Sequence, residues 1–97
     1  MHLDLKPENI LCKTRTSYEI KIIDFGLARS YDPDQTLRIM FGTPEFVAPE
    51  IVNYEAVTPA SDMWSVGKQI KLLVQYISYD FFQNLFYRIY YHFIIKN

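Results

Sequence analysis

Two short apolar runs, Ile10-Leu11-Cys12 and Tyr18-Glu19-Ile20-Lys21-Ile22-Ile23, flank the polar stretch Lys13 to Ser17. The second run alternates apolar and polar residues up to its apolar end, and the stretch between the two is hairpin-sized. The pattern predicts a β-hairpin. Because a hairpin brings its outer ends together, Asn9 and Asp24 are expected side by side. Cys12, inside an apolar run, is expected to be a small buried core residue.

From Phe25 to Phe41 the chain is polar and turn-rich, with Asp32-Pro33-Asp34 as a loop signal. Helical character begins after Thr58-Pro59, a cap residue followed by proline at the first helical position, and continues through Ala60-Ser61-Asp62-Met63-Trp64-Ser65-Val66. Trp64 is read as core. Further on, Leu73, Ile77, Phe81, Leu85, Ile89 and Phe93 recur at four-residue spacing while Asn84, Arg88 and His92 form a polar stripe, which fits an amphipathic helix. Lys71, Asp80, Arg88 and His92 interrupt it, which argues against a membrane span of about 20 mainly apolar residues.

Composition divides the chain at Gly67/Lys68. All 3 glycines and all 5 prolines, with every glutamate and threonine, lie in residues 1–67; residues 68–97 have none of these and no alanine. The tail is instead rich in Phe, Tyr, Ile, Asn and Lys, the residues of A/T-rich codons. Gly-Lys can be written GGT-AAG, which contains the usual start of a eukaryotic intron. One reading makes the tail translated intron; the other makes it a helix of its own.

Length and charge narrow the field further. A chain of 97 residues offers room for one small domain. Ten basic against eleven acidic side chains leave a net charge of -1, which argues against a nucleic-acid or polybasic membrane role. The lone cysteine has no disulfide partner, and the first residues do not read as a signal peptide.

Three blocks carry the chemistry. They are His2-Leu3-Asp4-Leu5-Lys6-Pro7-Glu8-Asn9, then Asp24-Phe25-Gly26, then Gly42-Thr43-Pro44-Glu45-Phe46-Val47-Ala48-Pro49-Glu50. Taken singly, Asp4 reads as a helix cap and Asp-Phe-Gly as a turn. Taken in this order, they resemble the catalytic loop, metal-binding loop and substrate-facing segment of a eukaryotic protein kinase. The resemblance implies an α+β fold: a fragment of the mainly helical C-terminal lobe of a protein-kinase-like fold, with catalytic loop, short β-hairpin, activation segment and the start of a long helix. It covers residues 2–67, so residues 1–67 are taken as a partial kinase domain and 68–97 as a non-family tail. No glycine-rich phosphate loop, strand lysine or partner glutamate of the nucleotide-covering lobe precedes these blocks.

Within that resemblance each residue acquires a role. Asp4 is similar to the catalytic aspartate that accepts a hydrogen bond from the acceptor hydroxyl, and Lys6 would face the transferred phosphate of ATP. Asn9 and Asp24 resemble the two magnesium ligands, hard oxygens suited to a hard cation. Thr43, Pro44 and Glu45 belong to the substrate-facing loop, with Thr43 expected to bond towards Asp4 and Lys6. His2, Phe25, Gly26, Glu50 and Asp62 are structural. Phe25 would pack beneath the loop, Gly26 would supply backbone freedom, Asp62 would brace the catalytic-loop backbone, and Glu50 would lack its usual arginine.

Leu3 stands where many kinases carry an arginine that anchors an activating phosphate, so Ser30, Thr36 and Thr43 are not expected to be activating phosphosites. The blocks look most like the myosin light chain kinase and titin/twitchin type of calmodulin-dependent serine/threonine kinases. That likeness implies a cytoplasmic, cytoskeleton- or sarcomere-associated parent, a substrate such as myosin light chain, and a calmodulin-type regulator. The isolated chain, without the ATP-binding lobe, is expected to be inactive, and a truncated interaction module or an incomplete gene is the alternative.

The intron reading of the tail predicts that the mature transcript joins codon 67 to a different exon; sequencing the message across codons 67–68 checks this, and a spliced message retaining the tail refutes it.

Overall fold

A computed structural model describes residues 1–90. A 3-10 turn at Pro7–Asn9 leads directly into strand β1 (Ile10–Cys12), which pairs antiparallel with β2 (Ile20–Ile22). Helix α1 (Pro49–Val52) is short; helix α2 (Ala60–Tyr90) is long. Between β2 and α1 the chain forms turns, bends and irregular segments only.

The hairpin forms in the expected place. Ile10 pairs with Ile22, Leu11 with Lys21 and Cys12 with Ile20. The Lys13 amide then bonds the Glu19 carbonyl at 2.9 Å, and the Lys13 ammonium meets Glu19 Oε2 at 3.0 Å. Inside the tip, the Ser17 amide donates to Thr14 Oγ1 and the Glu19 amide to Ser17 Oγ, so the short polar side chains build the turn. The sheet is not buried. Leu11, Ile20 and Ile22 are exposed, and so is Cys12, contrary to its expected place in the core. Period-2 alternation registers a strand, but among the described residues no layer is stacked on either face of the two-stranded sheet, so its apolar residues have nothing to bury against.

Pro49 opens α1 at its first turn, where its missing N–H costs nothing. Ahead of α2, the Ala60 amide donates to Thr58 Oγ1 at 3.3 Å, and the Ser61 amide bonds the Thr58 carbonyl at 2.9 Å. Thr58 thus caps the helix as its position predicts. Gly67 does not interrupt it: α2 runs 31 residues, about 46 Å at the usual rise. The apolar positions Leu73, Ile77, Phe81 and Leu85 all lie in this helix and are all exposed, as is Trp64, against the expectation that it is core. Trp64 is 45% exposed, so its identity alone misplaces it. Phe93 and His92 lie outside the described residues, and so does the side chain of Ile89. Among the described residues, no helix is long and apolar enough to cross a membrane.

The core is built mainly from loops. Leu3, Ile39, Ala48, Ile51 and Val57 form one buried cluster, with Met1, Leu27, Leu37, Phe41 and Val47 packed around it. The Val57 amide bonds the Leu37 carbonyl at 2.8 Å, closing the segment between them onto this cluster. Leu3 sits here with φ 67°, a left-handed backbone that disfavours any residue with a Cβ by about 1–2 kcal/mol. Burying its side chain is worth about 1.5–3 kcal/mol, so the core contact outweighs the strain.

Two substitutions separate these effects. Leu3→Ala is predicted to lose about 2–5 kcal/mol. Leu3→Gly, which empties the same space but relieves the left-handed backbone, should be more stable than Leu3→Ala by about 1 kcal/mol, reversing the usual order. Urea unfolding midpoints of the two variants check the inversion.

Candidate active site

The His2–Asp4 segment is held by α2. Asp62 lies in the first turn of that helix, and its carboxylate accepts two adjacent amides, His2 N–H on Oδ2 and Leu3 N–H on Oδ1, each at 2.8 Å. Charge-assisted bonds of this kind are stronger than neutral ones. They fix the backbone immediately before Asp4 and hold Leu3 in its left-handed conformation.

His2 is buried and works in two directions. Nδ1 accepts the Asp4 amide at 3.1 Å, so the ring proton is on Nε2 and points to the Ile23 carbonyl at 2.9 Å. One ring therefore ties Asp4 to the residue that precedes Asp24. The Ile23 amide, in turn, bonds the Asn9 carbonyl at 2.9 Å, which extends the hairpin ladder to its outer ends. Phe25 packs edge-on against His2 with ring centroids 5.0 Å apart, yet it remains 62% exposed, so it covers the loop on one side only.

Asp4 is surrounded by donors. Thr43 Oγ1 donates to Asp4 Oδ1 at 3.2 Å, and Lys6 Nζ donates to Thr43 Oγ1 at 3.1 Å while lying 3.7 Å from Asp4 Oδ2. The buried Asn9 side chain donates through Nδ2 to the Asp4 carbonyl at 2.9 Å and to Asp4 Oδ2 at 3.4 Å. Asp4, Lys6, Asn9 and Thr43 thus form one hydrogen-bonded cluster, drawn from two loops 37 to 39 residues apart. With the Asn9 nitrogen committed to Asp4, its Oδ1 is the end suited to a cation.

Asp24 is exposed and left-handed, with φ 59°. Its Oδ1 accepts the Gly26 amide at 3.2 Å, an Asx-type turn that an aspartate stabilises by itself. The unusual backbone therefore belongs to Asp24, not to Gly26. A Cβ on Gly26 would lie 3.1 Å from Asp24 Oδ1, so this glycine serves close approach to the carboxylate, a correction to its expected role. Among the described residues, no group of three or more His, Cys, Asp and Glu gathers to hold a metal ion.

The loop from Gly42 to Val47 turns tightly. The Phe46 and Val47 amides both bond the Thr43 carbonyl, at 2.9 and 3.2 Å. Gly42 has φ 125°, and a Cβ there would come within 2.5 Å of Val47 Cγ1, so only glycine fits. Pro44 and Glu45 are exposed on this turn. Beside it lies an apolar hollow of about 250 Å³ lined by Met40, Phe41, Gly42, Pro44, Val47, Ile51 and Val52.

Glu50 does not stand alone. Its Oε1 accepts the hydroxyl of the buried Ser61 at 2.6 Å, a partner that the expectation of a lost arginine contact left out. Ser65, also buried, donates to the Phe46 carbonyl at 2.7 Å. Ser65 lies about one helical turn from both Ser61 and Asp62, the available signal that polar residues on this side of α2 face the loops.

The site thus combines a hydrogen-bonded Asp4–Lys6–Asn9–Thr43 cluster with a left-handed aspartate at the end of a hairpin. The protein kinase domain family matches residues 1–85, and the chain belongs to that family. Within it, residues of this chain are 60% identical over 78 positions to myosin light chain kinase 3 of Rattus norvegicus, covering 80% of this chain and 10% of the relative. Myosin light chain kinase family member 4 of Mus musculus is 59% identical over the same 80% of the chain and 20% of its own length. Myosin light chain kinase 2, skeletal/cardiac muscle, of Homo sapiens is 54% identical, with 13% of its length covered. The chain thus spans between a tenth and a fifth of these curated relatives. The family match continues to residue 85, past the change in composition at Gly67/Lys68.

Asp62→Asn is predicted to leave one of the His2 and Leu3 amides facing an NH2 group, at a cost of about 2–4 kcal/mol. Thermal unfolding measures the loss, and the amide proton of His2 or Leu3 should move upfield in the variant's NMR spectrum.

Proposed function

We propose that this chain carries the phosphoryl-transfer and peptide-facing part of a serine/threonine protein kinase of the myosin light chain kinase type. The observation that carries the reading is the Lys6–Thr43–Asp4 chain of bonds, which joins the catalytic loop to the substrate-facing loop. In this reading the acceptor serine or threonine hydroxyl donates to Asp4 and so points its oxygen at the γ-phosphorus of ATP. The new P–O bond forms as the bond to the β-phosphate oxygen breaks, and ADP leaves. Lys6 moves from Thr43 towards the transferred phosphoryl oxygens and offsets their charge.

Asn9 Oδ1 and the Asp24 carboxylate fit a magnesium ion, as hard oxygens at adjacent ends of one hairpin. The ion, when bound, neutralises charge on the phosphate oxygens. Two protein ligands suffice for magnesium, which usually completes its shell with phosphate and water. The apolar hollow beside Thr43-Pro44-Glu45 takes an apolar side chain of the peptide next to the acceptor residue.

The reading extends to a longer protein. Exposed apolar side chains on the hairpin and along α2 support the view that these elements work packed against further polypeptide, including the part that covers ATP. A myosin light chain substrate, a calmodulin-type regulator, and a cytoplasmic location on the cytoskeleton or sarcomere follow from the kinship with myosin light chain kinases. Residues 68–97 are proposed to have no part in the transfer itself, although the family match runs on to residue 85.

The test is radiolabelled phosphate transfer from magnesium-ATP to a myosin light chain peptide by the full-length gene product. Asp4→Asn should lower turnover about 10²–10⁴-fold, with peptide KM little changed. Ser30→Ala/Thr36→Ala should retain turnover. A folded wild-type product that binds magnesium-ATP and transfers nothing would overturn the reading in favour of a non-catalytic interaction module.

A further inference from the structure

We propose that Ser65 is a positioning residue that sets the register of the substrate-facing loop against Asp4. The functional side of this inference rests on the phosphoryl-transfer reading above. Ser65 is buried, and its hydroxyl lies 2.7 Å from the Phe46 carbonyl and 3.3 Å from the Ser61 carbonyl within its own helix. A serine hydroxyl has a single proton to give, and the shorter contact takes it. The bond therefore spans from α2 to the loop; it does not merely close back on the helix.

Phe46 ends the turn that Thr43 begins, since its own amide bonds the Thr43 carbonyl at 2.9 Å. Pinning the Phe46 carbonyl consequently pins Thr43, whose hydroxyl reaches Asp4 at 3.2 Å. Gly42 and Val47 are in such close approach that the turn has little room to slide. On the other side of the site, Asp62 pins His2 and Leu3, just ahead of Asp4. Asp62 and Ser65 are three residues apart on one helix, a separation of about 4.5 Å along its axis. Two loops from distant parts of the chain are thus hung from a single helical turn, and the rigidity of that turn fixes the gap between them.

The division of labour is specific. Loss of the Ser65 hydroxyl frees the peptide-facing loop and leaves the catalytic loop held by Asp62; loss of the Asp62 carboxylate does the reverse. Ser61 points to Glu50 and should influence neither loop directly.

The experiment combines hydrogen exchange and steady-state kinetics on the full-length gene product. In Ser65→Ala, exchange at the Phe46 and Val47 amides should quicken about tenfold while His2 and Leu3 stay as protected as before. Peptide KM should rise about tenfold with turnover within about twofold of wild type. Ser65→Cys, similar in size but a weak donor, should fall between the two, and it serves as the probe if Ser65→Ala does not fold. Ser65→Thr, which keeps the hydroxyl, should restore KM. Unchanged exchange at Phe46 and Val47 would overturn the proposal, as would a loss of protection spread evenly over the whole domain. A wild-type protein that transfers no phosphate would refute the kinase reading, yet the exchange pattern would still decide the role of Ser65.

Discussion

Two neighbouring backbone amides aimed at one carboxylate leave the residues that carry them very little freedom. Asp62 imposes that constraint on His2 and Leu3, and the rest of the site follows from it. With Leu3 locked in a left-handed turn, its side chain enters the core and the next residue, Asp4, is turned outward towards Lys6, Asn9 and Thr43. The His2 ring carries the same constraint across to the end of β2, next to Asp24. A helix, a loop and a hairpin are thereby registered to one another mainly through polar bonds, and the small apolar cluster around Leu3 and Ala48 fills the space between them.

This arrangement explains why so much of the chemistry lies outside regular structure. Loops place functional groups well only when something rigid holds their backbone. Here the rigid part is the N-terminal end of α2, which contributes Ser61, Asp62 and Ser65 to three different segments. Farther along, the same helix exposes Leu73, Ile77, Phe81 and Leu85 and organises nothing among the described residues.

What the chain reveals on reading follows the range of each interaction. The hairpin and the start of α2 were legible because alternation and a Thr-Pro cap are local signals, and the meeting of Asp4, Lys6 and Thr43 was legible only through the resemblance to serine/threonine kinases. Burial was not, because it depends on what lies opposite. Cys12 and Trp64 have core-like identities and exposed positions. The left-handed turns fell on Leu3 and Asp24, not on Gly26, since the bonds from Asp62 and the Asx turn at Asp24 supply what glycine usually supplies through lack of a Cβ. Ser61 and Ser65 escaped notice because a serine in a helix carries no signature until the carbonyl or carboxylate it meets is known. The change in composition marks a boundary at Gly67/Lys68, yet α2 runs through it unbroken, and a glycine costs a helix only about 1 kcal/mol, too little to stop one of this length.

The central claim is that Asp62 holds the His2–Asp4 segment by accepting two adjacent amides. Scalar couplings transmitted through hydrogen bonds, measured by NMR between the His2 and Leu3 amide nitrogens and the Asp62 carboxyl carbon, test it most directly. The account predicts a resolved coupling for both amides together with slow exchange of both protons; absent couplings and freely exchanging amides in the folded protein would contradict it.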